Sequence, residues 1–247
     1  MGALFMNMRP FFPATEVMSI FFRPRTTIAP SLLDGYTQKD FLSKAFRDFA
    51  SAFGISTQLI DILEDITTIR TVGPENILNA ATNPSLSELV HMRDLLLHRI
   101  LSLAPTGNEP DDELSAEECA RLAALIFVLD KLFLPVLPPA YHRIVHMITD
   151  RLNTTIEGKA TSPEWACHGW VLMWIAFVGA TVHNGDPVTT RSLIRSVAPL
   201  CANLFSGPRQ MRVELRPGLV GVIGRTELFE EDLIDGFAAD LEQVWRV

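Results

Sequence analysis

Apolar side chains recur along this chain at spacings of three and four, and prolines and glycines cut the pattern into helix-sized pieces. Phe41, Leu42, Ala45, Phe46, Phe49 and Phe53 form one stripe, which predicts an amphipathic helix over 36–53 with Thr37 as its cap and Gly54 as its stop. Ile60, Leu63, Ile66, Thr67 and Arg70 predict a second helix over 56–71, ended by Gly73 and Pro74. Leu86, Leu89, Val90, Leu96, Leu97 and Ile100 predict a third over 85–103. A fourth opens at Ser115 with Glu117 and Glu118 near the positive end of its dipole. Its body, 120–133, is apolar on more than one side and is expected to be central.

Further helices are predicted over 140–156, 165–182, 187–205 and 230–247, the last with Leu233, Ile234, Phe237, Leu241 and Val244 on its inner face. Segment 165–182 is nearly continuous in apolar character, yet it falls short of the ~20 residues of a comfortable membrane span. A helix buried on all sides is the expectation there. Between the last two helices the pattern changes. Residues 211–215 alternate and 219–223 are β-branched and punctuated by glycine, which predicts a small β-hairpin near 211–223. Residues 1–35, rich in proline, read as an irregular N-terminal arm. The fold expected is therefore all-α, with one multi-helix domain over 36–247.

Hydrophobic residues make up 48% of the 247 positions and charged residues 20%, enough to build a sizeable core rather than a disordered chain. The formal net charge of -8, with no compensating basic run, argues against direct nucleic-acid binding. Cys119, Cys167 and Cys201 are too far apart for zinc-ligand spacing, and buried, inert thiols in a reducing compartment are expected. No membrane contact is expected. Cytoplasm and nucleus both fit the absence of a localisation run.

Several segments, taken in order, resemble the fungus-specific transcription factor domain, the regulatory region of zinc-cluster transcription factors. The run GISTQLIDILEDIT from Gly54 to Thr67 resembles that family's "GIS-x-x-L" opening, and ARLAALIFVL from Ala120 to Leu129 resembles its "YRLAALIYL" helix. Leu137, Pro138 and Pro139 supply the punctuation that often follows. LMWIAFVGA from Leu172 to Ala180 is similar to the family's "LLWPLFVAG" core helix, and 237–245 is similar to its closing "LE-x-x-W" helix. The resemblance spans roughly 50–205 and 228–247. It implies an all-helical regulatory domain that senses effectors or protein partners. The family's six-cysteine zinc cluster has no counterpart among these residues, and 206–227 is unlike the family.

Candidate chemistry is sparse. His142 and His146 lie four apart with Asp150 a turn further on, a spacing at which two imidazoles can share a metal. Arg143 stands where a metalloprotease glutamate would, and no third ligand is evident, so a helix face is the preferred reading. His91 and His98, flanking Arg93 and Asp94, read as an interaction or salt-bridge surface. No nucleophile elbow, P-loop or dinucleotide fingerprint is present, and no cofactor is expected.

The segment 165–183 is the richest. Trp170, Trp174 and Phe177 recur at four and three. They read either as core packing or as the wall of an apolar pocket, with His168, or His183 and Asp186, as polar groups at its rim. Two functions follow. The chain is a stand-alone regulatory domain that holds an apolar small molecule of secondary-metabolite type or a partner protein. Alternatively, it is a cofactor-free cyclase of intramolecular Diels–Alder type, which needs only a shaped apolar cavity and one or two donors to a terpenoid or polyketide carbonyl. A third reading is a truncated gene product, its zinc cluster encoded upstream.

Overall fold

The computed structural model describes residues 43–69, 86–103, 116–131, 139–157, 159–182, 185–223 and 231–245. Ten α-helices account for most of them: α1 Lys44–Ala52, α2 Thr57–Ile69, α3 Leu86–Ser102, α4 Ala116–Ile126, α5 Pro139–Ile156, α6 Pro163–Ala166, α7 Gly169–Ala180, α8 Pro187–Leu204, α9 Pro208–Ile223 and α10 Glu231–Trp245. No strand occurs among the described residues. The fold is all-α, and its buried apolar side chains join in one continuous core. The expected arm at 1–35 and the cap Thr37 lie outside the described residues.

Local chemistry explains where the helices begin and end. Ser43 caps α1, its hydroxyl accepting from the Phe46 N–H at 3.2 Å. Gly54 terminates α1, as expected, with φ of +63°, a conformation that costs a side-chain-bearing residue about 1–2 kcal/mol. Ile55 N then reaches back to the Ala50 carbonyl at 2.9 Å, closing the last turn. Asp186 opens α8 by accepting from the Thr189 N–H at 2.8 Å, with Pro187 at the first helical position.

α7 is the axis of the molecule. It packs against α1, α4, α5, α8 and α9, and every residue from Val171 to Ala180 is buried. α10 covers α8 and α9, while α2 and α3 pair with each other over α4. α4 is buried around its whole circumference, as its pattern predicts, and it continues as a wider π turn over Phe127–Lys131. The inner face of α10 is also as expected: Ile234, Phe237 and Leu241 are buried and Leu233 and Val244 half-buried.

Three expectations need correction. The predicted hairpin near 211–223 is instead the helix α9. Residues 211, 213 and 215 satisfy a period of two, but Met211, Leu215, Leu219 and Val222 satisfy the helical period and are all fully buried. Val213, whose burial would have separated the two readings, is 74% exposed. The single helix over 165–182 is two, α6 and α7, with a turn at Cys167 and His168. That turn lets Trp165 face α1 while α7 runs on through the core. In α2 the buried face is Leu59, Ile62, Leu63 and Ile66, rotated from the predicted stripe, with Ile60 half-buried at its edge.

Candidate functional site

The aromatic residues of α7 diverge because the helix is surrounded. Trp170 packs perpendicular to Phe205 at 5.4 Å and lies over Gly218 of α9. Trp174 meets Phe46 of α1 edge-on at 6.3 Å, and Phe177 meets Phe237 of α10 at 5.3 Å and 90°. The three rings that share a stripe in the sequence thus each face a different helix. His168 stands at the turn before α7, half-buried, with its ring 5.5 Å from Phe49 and 5.6 Å from Phe53. His183 lies outside the described residues.

A second grouping was not anticipated from sequence. The α1 stripe meets the α6–α7 turn, so that Phe49, Phe53, Trp165 and His168 form one aromatic cluster. Phe53 lies 4.9 Å from Phe49 and 5.1 Å from Trp165, and Trp165 lies 5.8 Å from Phe49. Phe53 and His168 bring this cluster to the surface. Phe46, 5.8 Å from Phe49, links it inward to Trp174. The stripe on α1 was legible as a helix face; its partner across 110 or so positions of sequence required the turn at Cys167, which no periodicity marks.

Polar groups in the core mostly satisfy themselves. The hydroxyls of Thr149, Thr155 and Thr181 donate to carbonyls one turn back, at 2.7 to 2.8 Å. Glu118 is 1% exposed and accepts from Arg121 on its own helix, through Nε at 2.5 Å and Nη2 at 2.8 Å. Arg151 of α5 reaches the same carboxylate at 3.1 Å, tying α4 to α5. Trp174 is the exception at the aromatic centre. It is 1% exposed, and its buried Nε1–H makes no hydrogen bond among the described residues. A buried, unmatched donor of this kind costs about 1–3 kcal/mol. Asn153 Oδ1, an acceptor on a half-buried side chain of α5, likewise makes no hydrogen bond among the described residues.

The proposed polar rim has other duties. Asp186 is the cap of α8, exposed, with Thr189 Oγ1 3.0 Å from its carboxylate and 2.7 Å from that of Asp150. The Thr189 backbone N–H, then its hydroxyl, hold the Asp186 carboxyl below its ordinary value of 3.8, with a smaller pull from His146. The side chains of His91 and His142 lie outside the described residues. His98 is half-buried, its Nδ1 3.3 Å from Ser102 Oγ. Among the described residues no group of three His, Cys, Asp or Glu could hold a metal ion. The same residues include no helix long and apolar enough to cross a membrane.

The cysteines divide. Cys119 and Cys201 are buried, as expected, and burial pushes their thiols up to about 12 and about 11. Cys167 is exposed, contrary to expectation, because the turn between α6 and α7 carries it outward. No family model matches the chain, and neither a curated protein nor a solved structure does.

Proposed function

We propose that the chain is a binding domain that holds an apolar small molecule against the aromatic surface made by α1 and the α6–α7 turn, and so modulates a partner protein. The observation that carries this reading is the continuity of the cluster. Phe53 and His168 are half-buried at the surface, Phe49 and Trp165 lie behind them, and Phe46 leads on to Trp174. Ligand sites combine apolar and aromatic walls with a few polar groups, and this grouping has that make-up. The net charge of -8 weighs against direct contact with DNA. Segments 54–67, 120–129 and 172–180 resemble fungal transcription-factor regulatory regions, and a regulatory role of that kind, in the cytoplasm or nucleus, fits this reading.

Native mass spectrometry and thermal-shift assays on the purified chain, incubated with an extract of apolar secondary metabolites, test this. A retained adduct, released unchanged and accompanied by a higher melting temperature, is the expected result. A fixed melting temperature with no adduct would overturn it. The cyclase reading uses the same apolar walls and a neutral donor at their inner end. Its signature in the same experiment is an isomer of equal mass that accumulates in the extract.

A further inference from the structure

We infer that the ligand carries an uncharged hydrogen-bond acceptor, a ketone, ester or ether oxygen, and that the indole N–H of Trp174 binds it; this rests on the binding reading above and specifies it. Trp174 occupies the inner end of the aromatic series that begins at half-buried Phe53 and His168 and passes through Phe49 and Phe46. Its Nε1–H is a donor only, buried, and makes no hydrogen bond among the described residues.

The indole N–H makes no hydrogen bond to any described polar side chain. The perpendicular Phe46 ring offers at most a π contact in place of a lone pair, a second-order substitute. α7 itself is apolar along its whole length, GWVLMWIAFVGA, so Trp174 supplies the one strong side-chain donor at its middle. Donor chemistry then selects the ligand. A carboxylate or phosphate would enter with a charge that a neutral indole cannot balance in apolar surroundings, whereas a carbonyl or ether oxygen needs one donor. The site is thus matched to an oxygenated hydrocarbon and mismatched to the bare hydrocarbon, which leaves the N–H unsatisfied.

Two fluorescent probes of matched shape test this on the full chain. One is 6-propionyl-2-(dimethylamino)naphthalene, and the other is the 6-propyl analogue, in which a methylene replaces the carbonyl. Desolvating a carbonyl without a partner weakens binding, so the hydrocarbon is favoured unless a donor meets the oxygen. The expected result is that the ketone binds about tenfold more tightly than the hydrocarbon, the range of one well-made buried hydrogen bond. Trp174→Phe is expected to erase the about tenfold preference for the ketone, so that the two probes bind with equal affinity whatever its effect on both together. Equal affinity of the two probes for the native chain overturns the hydrogen bond while leaving apolar binding in place. Failure of both probes to bind overturns the binding reading itself. The comparison on the native chain stands even if the Trp174→Phe protein does not fold.

Discussion

Gly218 and Trp170 define how closely α9 can approach the central helix. A Cβ at position 218 would lie 2.0 Å from Trp170 Cζ3, and the rigid indole is flanked by Phe205. Gly218→Ala is therefore expected to destabilise the fold by about 1–3 kcal/mol in urea unfolding, the usual cost of overpacking. In a Trp170→Leu background most of that penalty should disappear, and an additive double mutant would contradict the contact. Cys167 makes a second residue-level prediction. A thiol reagent at neutral pH should label Cys167 in the folded chain and reach Cys119 and Cys201 only after unfolding, because burial keeps those two protonated and covered.

Asp186 gives a pH dependence whose sign follows from its depressed pKa. A carboxyl held lower in the folded state stabilises that state above its unfolded pKa, and the contribution is lost as pH falls through the folded value. The melting-temperature difference between the native chain and Asp186→Ala should thus be full near neutrality and close as pH drops below 3.8. A gap that persists at the lowest pH would mean that the cap acts through something other than its charge.

Among the elements, α4 and α5 are joined through a buried carboxylate. Glu118 and Arg121 lie at i and i+3 on a helix that is buried on all sides, with Arg151 of α5 also reaching the carboxylate. Arg121→Met alone is expected to cost about 3–5 kcal/mol in chemical denaturation, since it strips a buried carboxylate of its bidentate partner. Glu118→Leu with Arg121→Met should recover most of that loss. The E-x-x-R spacing was visible in the sequence, but its burial was not: charge at a helix start reads as a solvated first turn until a second helix covers it. α9 teaches the complementary lesson. Five alternating residues fit two periods equally, and only the next turns, Leu219 and Val222, distinguish a helix from a strand. Where apolar repeats are long, periodicity alone sufficed: it marked α4 as central and placed α10 with its inner face.

At the scale of the whole molecule, fold class was legible because helical periodicity is local, whereas the candidate site was not, because it is made by helices distant in sequence. Trp170, Trp174 and Phe177 share a helix and a stripe, yet they face α9, α1 and α10 in turn. A helix enclosed by others has no single inner face, so a stripe on it names neighbours rather than a cavity. The site instead follows the meeting of α1 with the α6–α7 turn, where His168 and Trp165 join Phe49 and Phe53.

The central claim, that an apolar ligand reaches Trp174 through this cluster, is tested most directly by the indole N–H resonances. The chain has four tryptophans, so a nitrogen-15 correlation spectrum resolves four indole signals, assigned by single substitution to phenylalanine. During titration with the apolar metabolite extract, the Trp174 signal should move downfield as its proton gains an acceptor, with a smaller change at Trp165. A titration that raises the melting temperature but leaves the Trp174 signal fixed, or shifts Trp245 alone, would contradict the account.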